Sequence, residues 1–575
     1  MLHPCPARAT GFSISLLIAA LAAAALPVWA GSAQWSNTPA SNDWYTPSNW
    51  TPDHVPNGAS DTATFDASSV TSISVAAATQ VNGITFSSVA NPYTITPMEG
   101  VTLEISGTGM VNNSSATQRF VSASQGTGQF GTVRFTNGAS AGSNTVFTTQ
   151  SGTLMGMGGP AALEFFGTST AGTGSFTNNG AFHDGVDGGE TAFHASSTAA
   201  NAAFTNNPAA VSSSAAGSGS VEFLENSTAG NATFVNNPAT LVAARGGLTE
   251  FSHMSTAGTA TMLNKGAADP NVGSGATVFT GNSSADHAIV TNNGGVTEFV
   301  DAATAGSATL IANSTDHTLT GGDIVFNDDS SGGTAQVQVY GDGTLEVSTH
   351  NAPGLTIGSL EGTGQVFLGS RNLTIGSNNR TVDFLGVIQE GGGRLPGGTV
   401  TKIGTGGLAL AGANTYPGMT TVNAGDLNVG GSLAGPVTIN RGLLVGFGTV
   451  GAVTVNNGGT LSPGEDVGIL TVNGNLAMNA GSTYQPVLFG ATVGTYNQTN
   501  VIGKVTLTKS TLAMRLEYFP SVGDKYIIIK NDGSDAVKGK FNGLNEGAKF
   551  SVDGLHFKIS YKGGDGNDVV LTRTR

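Results

Sequence analysis

Thiol chemistry is missing from the bulk of this sequence: among 575 residues the single cysteine is Cys5, inside an N-terminal segment that reads as a secretory signal. Beyond that segment, disulfides cannot hold the chain together and no thiolate can act as nucleophile or metal ligand. Charge is scarce as well. Only 10% of residues are charged, where about 25% is usual, so solubility falls to Thr, Ser and Asn. The net charge of −15, without any basic patch interleaved with aromatics, argues against nucleic acid as a partner. After the N-terminus no apolar run is long enough to cross a bilayer as a helix. The histidines His54, His183, His194, His253, His287, His317, His350 and His556 share no spacing, so neither a zinc pair nor a Ser/His/Asp set emerges. Glycine-rich stretches abound, but none ends in the Gly-Lys-Ser/Thr of a phosphate loop.

Residues 1–30 have the parts of a signal peptide: Arg8 before the apolar core, Ile14 to Leu26 as that core, and Val28-Trp29-Ala30 as a small-residue cleavage site. Cleavage after Ala30 or Ala33 leaves an exported mature chain without cysteine.

What the chain has in abundance is a repeat. Phe135, Phe165, Phe193, Phe223, Phe251, Phe279, Phe299 and Phe326 occupy one equivalent position, at spacings of 30, 28, 30, 28, 28, 20 and 27. Eleven residues after each comes Val146, Phe176, Phe204, Phe234, Met262, Val290, Leu310 or Val337. Seven residues after each comes Gly142, Gly172, Gly230, Gly258, Gly306 or Gly333, with Ala200 and Asp286 as exceptions, which suits a corner needing φ > 0. Apolar and polar residues alternate with a period of two. A fixed register with variable length outside it marks a solenoid, one β-helix coil per repeat, with the phenylalanines stacked ~4.8 Å apart.

Two further columns follow. Asn178, Asn206, Asn236, Asn264 and Asn292 each lie thirteen residues after their phenylalanine and are expected to hydrogen-bond along the ladder. Glu164, Glu222, Glu250 and Glu298 each precede it and point outward, with Glu222 and Glu250 ~5 Å apart. Such a pair could hold a cation or perform retaining-glycosidase chemistry. Arg134, Ala192, Val278 and Val325 share the column, so repeat duplication explains it better. The length variation falls in loops such as His183–Glu190 and Lys265–Ser274, the expected contact surface.

Trp35, Trp44 and Trp50 cluster in the region 31–122, which is expected to hold an N-terminal cap and the first coils; they could stack on sugars but better serve to close the solenoid end. The phenylalanine ladder occupies 123–340, and short Gly- and Asn-punctuated strands continue over 341–483. From 484 to 575 the composition shifts: nine of the eleven lysines lie between Lys504 and Lys562, as suits a charged C-terminal cap that keeps edge strands from aggregating.

The stretch 397–429, running from Gly397-Gly398-Thr399-Val400-Thr401-Lys402 through Ala413-Asn414-Thr415-Tyr416-Pro417-Gly418 to Asp426-Leu427-Asn428-Val429, resembles the passenger-associated transport repeat of bacterial autotransporters and of autotransporter-associated β-strand repeat proteins. Gly458-Gly459-Thr460-Leu461-Ser462-Pro463-Gly464 and the closing Tyr561–Thr572 stretch are similar to the same family. The resemblance implies an all-β, right-handed parallel β-helix exported to or beyond the cell surface, in which the repeat assists secretion and folding and carries no catalytic residue. A translocator barrel would follow in an autotransporter, whereas this sequence ends at Arg575; the expectation is a passenger-like relative lacking the barrel.

Gly563-Gly564-Asp565-Gly566-Asn567-Asp568-Val569-Val570-Leu571 also fits the calcium-binding β-roll nonapeptide, but as a single copy where ions sit between successive copies. Many parallel β-helices cleave polysaccharides with convergent Asp, Lys or Arg. Between Phe135 and Ala480 the basic residues are only Arg245, Lys265, Arg371, Arg380, Arg394, Lys402 and Arg441, scattered over many coils. The sequence thus yields no catalytic, cofactor or metal residues. Its reading is a structural or adhesive surface protein whose partner is an extracellular polysaccharide or a cell-surface component. The alternative is a secreted carbohydrate-binding or carbohydrate-cleaving β-helix.

Overall fold

A computed structural model describes residues 31–122, 130–152, 162–314, 321–391 and 396–575. The expected signal at 1–30 lies outside them. Most strands are three to five residues long because a Gly, Asn or Asp corner interrupts every alternating run. In Ser220–Phe223 the alternation sends Val221 and Phe223 inward and Ser220 and Glu222 outward. Each strand pairs in parallel with the equivalent strand one coil on, at constant register, so Phe193, Phe223, Phe251 and Phe279 are direct neighbours. The architecture is a parallel β-helix.

Its phenylalanine sheet has sixteen strands, from Trp50–Thr51 at one edge to Val387–Gln389 at the other. It passes into a nine-stranded sheet at Ile388, whose N–H donates to Asn414 Oδ1 and whose carbonyl accepts from Thr415 N–H. A second ladder carries the asparagine column and runs from Ser72–Val75 to Thr511–Leu512. The third side starts as single bridges, Ser140 to Thr170 to Thr198 and onward to Ser331, and widens into a nine-stranded sheet from Gly354–Ile357 to Lys538–Lys540.

Inside, the eight phenylalanines form one continuous stack, with centroids 4.6–4.9 Å apart and planes within 9°. A second stack, Phe120, Phe147, Phe176, Phe204 and Phe234, meets it edge-on, as between Phe223 and Phe234 at 5.8 Å and 78°. Burying each ring contributes roughly 1.5–3 kcal/mol, and favourable ring geometry adds ~0.5–1.5 kcal/mol. One expectation is corrected here. Val146 is not the inward residue of the first repeat; Phe147 is, paired with Phe176. Asn144, at φ 53°, takes up one extra residue before that strand, so the register there is twelve and not eleven.

The corner column behaves as its glycines require. All eight positions seven residues past the phenylalanines have positive φ, including Ala200 at 52° and Asp286 at 51°. At one end Trp35, Trp44 and Trp50 are buried against Phe65, with Trp50 4.9 Å from Trp44 and 5.0 Å from Trp35. Their indole N–H groups donate to Val70, Pro56 and Trp44 carbonyls. They close the solenoid and are not free to stack on sugars. At the other end the antiparallel strands Lys525–Asn531, Lys549–Val552, Leu555–Gly563 and Asp568–Thr574 lay Phe557 and Ile559 over the interior, with Phe541 6.0 Å from Tyr484.

Candidate functional site: an acidic flank beside a loop ridge

Where the chain leaves the asparagine ladder for the phenylalanine sheet, the segments 179–189, 207–219, 237–247 and 266–275 bulge outward. They stack on one another. Ala181, Val186, Ala209, Ala216, Ala239 and Ala244 bury themselves in a small second core. Ala181 N–H donates to Gly217 O at 2.8 Å, Ala209 N–H to Arg245 O at 2.9 Å and Ala239 N–H to Gly273 O at 2.8 Å. The variable loops therefore form a ridge along several coils, with Phe182 and Val242 exposed on it. Glu190 and Lys265, expected in loops, lie in the strands Glu190–Phe193 and Thr261–Lys265.

The ridge is fixed at its base by the buried asparagines. Asn178 Nδ2 donates to Asn206 Oδ1 at 2.9 Å, Asn206 to Asn236 at 2.8 Å, Asn236 to Asn264 at 2.7 Å and Asn264 to Asn292 at 2.8 Å. The spare amide hydrogens go to Leu248, Ala276, Val296 and Asp323 carbonyls, at the start of the phenylalanine strands.

Beside the ridge, the outer face of the phenylalanine sheet carries Glu104, Glu164, Glu190, Glu222, Glu250, Glu298, Asp323 and Glu346, all half-buried. The register places Arg134, Glu164, Ala192, Glu222, Glu250, Val278, Glu298 and Val325 in one column, as the repeat predicted. Arg134 pairs with Glu164 at 2.7 Å. Ala192 separates Glu164 from Glu222 in this column, and Glu190, from the adjacent outward position, feels the charge of both. The Glu190 and Glu222 carboxyls lie close enough to act on each other's charge. Burial, then mutual repulsion among Glu164, Asp187, Glu222 and Glu250, raises the affinity of both for a proton. Burial raises Glu250, Glu298 and Asp323 as well. Next to this column His194 stacks on Phe166 at 4.2 Å, and the Arg134 guanidinium lies 5.5 Å from the same ring. Burial lowers the His194 pKa, opposed by Glu164 and Glu225.

Glu190 was not singled out from sequence. The alternation that points Glu222 outward does the same for Glu190. A close carboxyl pair is an acid–base motif, but Glu190 and Glu222 project from adjacent strands of one sheet and meet any ligand from the same side. Glycosidase carboxyls flank the scissile bond.

Elsewhere the candidates serve the backbone. Asn567 Nδ2 donates to Asp532, Gly533 and Asp535 carbonyls at 3.0–3.2 Å, and Asp568 Oδ1 accepts Asn531 N–H at 2.9 Å. Lys402 points inward and its ammonium donates to Ile403 O at 2.6 Å and Gly404 O at 3.2 Å. Among the described residues no group of three or more His, Asp or Glu side chains is placed to hold a metal ion, and no helix is long and apolar enough to cross a membrane.

No curated protein matches the chain. Among solved structures, the Hap adhesin of Haemophilus influenzae is similar at a TM-score of 0.32 and 12% identity, over 89% of this chain and 64% of that one. The chain thus spans less than two thirds of that structure, and the fold rests on the strand pairing above and not on this likeness. The family model of the passenger-associated transport repeat matches residues 400–429, within the stretch that resembles it. The chain is a parallel β-helix that carries a passenger-associated transport repeat.

Proposed function

We propose that this protein is exported and works at the cell surface or outside the cell as a β-helical scaffold with a structural or adhesive role and no catalysis. The observation that carries the reading is the passenger-associated transport repeat at 400–429, set without interruption in the coil ladder. Support comes from the organisation of the molecule. Both ends are closed, ring stacks fill the interior from Phe120 to Phe326, and the outward loops 179–189, 207–219, 237–247 and 266–275 gather on one ridge. The ridge is the surface proposed to meet an extracellular polysaccharide or a cell-surface component. Protease shaving of intact cells, with peptides identified by mass spectrometry, tests the location. Release of peptides from 179–189 and 237–247 is expected, and their protection until lysis would contradict surface display.

A further inference from the structure

The charge of the chain is divided along its length. Residues 31–483 hold 29 acidic and 9 basic side chains, whereas 484–575 hold 8 acidic and 12 basic. The division is also spatial. In the C-terminal sheet Lys525 lies opposite Thr572, Thr572 opposite Lys558, and Lys558 opposite Lys549, so three lysines share one cross-strand row on one face. All three are exposed. Among the described residues none of them is in an ion pair.

This sheet continues the phenylalanine sheet through the Ile388–Asn414 junction, and the outward residues Thr471, Asn500 and Lys530 are register partners that keep the same face outward. The lysine row and the acidic column therefore occupy the same flank. Of the eight carboxylates there, only Glu164 has a cation partner among the described residues. Glu104 accepts from Gln80 and Thr136, Glu298 from Asn327, Asp323 from Thr344 and Glu346 from Ser348 N–H, all neutral. Thirteen coil steps of ~4.8 Å separate the Glu222 strand from the Lys525 strand, about 60 Å.

We propose that two copies of this chain associate flank to flank and antiparallel, each laying its lysine row on the acidic column of the other. A two-fold axis lying in the plane of the contact and perpendicular to the coil axis, midway between the patches, exchanges them, so one interaction is made twice in a closed dimer. Both halves of the contact lie on one chain, which favours a second copy over a foreign polyanion. The cations are exposed and the carboxylates half-buried, so the attraction is screened by salt. It also weakens as the carboxylates protonate.

Light scattering after gel filtration of residues 31–575 tests this. Twice the chain mass is expected at low ionic strength, falling to one chain near ~1 M salt, where the screening length is ~3 Å. The triple variant Lys525→Glu, Lys549→Glu, Lys558→Glu and the double variant Glu250→Lys, Glu298→Lys are each expected to be monomeric, and their mixture to form a mixed dimer. Circular dichroism confirms that each variant is folded. A single-chain mass at all salt concentrations overturns the proposal, as does a dimer that survives the lysine reversals. A monomer that instead sediments with phosphatidylglycerol vesicles through the same lysines also overturns it, by assigning the row to an anionic surface.

Discussion

Glu190 and Glu222 project from the same outward face of two register-paired strands in adjacent coils, two positions apart. Their folded-state pKa values lie above the ordinary 4.5 of a glutamate, chiefly through burial. In the window above 4.5 the native state holds protons that the unfolded chain has released, so stability falls as pH rises through the raised values. Thermal melts are expected to show the highest midpoint near pH 5 and a steady loss toward pH 8. Glu190→Gln with Glu222→Gln is expected to flatten that loss, and a slope unchanged in the double variant would show that other groups set it.

The phenylalanine stack is expected to be the largest single stabiliser. Phe223 lies 4.7 Å from both Phe193 and Phe251 and is fully buried. Phe223→Ala should cost ~3–5 kcal/mol in denaturant unfolding, from lost transfer energy plus the cavity. An unchanged unfolding midpoint would rule out the buried stack.

The asparagine ladder gives a paired comparison. Asn236 is fully buried and bonds to Asn206, Asn264, Thr249 and the Ala276 carbonyl, whereas neighbouring Asn237 is half-buried and bonds to Asn207 and Lys265. Asn236→Leu strands several buried partners at ~1–3 kcal/mol each. Asn237→Leu should cost much less, since water can replace its bonds. Equal losses in urea melts would mean the ladder is not what fixes the coils.

Ala200 and Gly230 occupy equivalent corners at φ 52° and 60°. A left-handed residue with a Cβ costs roughly 1–2 kcal/mol, so Ala200→Gly should raise the melting temperature. Gly230→Ala should lower it, the more so because the new Cβ would sit 3.0 Å from the Ala200 carbonyl oxygen. Shifts of the same sign in both variants would contradict a shared left-handed corner.

These corners show how the sequence encodes the fold. A column of identical residues at fixed offset is readable because stacking repeats one environment, so Phe223, Asn236 and Gly230 announce their places. Val146 misled because one left-handed residue, Asn144, shifts the register without changing the apolar pattern. The handover from Gln389 to Ala413 was hidden because short Gly-rich runs fit any side of a coil. The site was less legible than the fold. Glu222 and Glu250 were found as a column, but Glu190 joins them from a different offset. The tryptophans could be read two ways until their burial decided for the cap.

The central claim is that this β-helix binds and does not cut. Purified residues 31–575 incubated with soluble and insoluble polysaccharides and with intact cells, scored for retained protein and for released oligosaccharide, test it most directly. The account predicts retention without release, preserved in Glu222→Gln with Glu250→Gln and lost when the 237–247 loop is shortened. Release of oligosaccharide, abolished by the same glutamine substitutions, would contradict it and make the acidic flank a catalytic site.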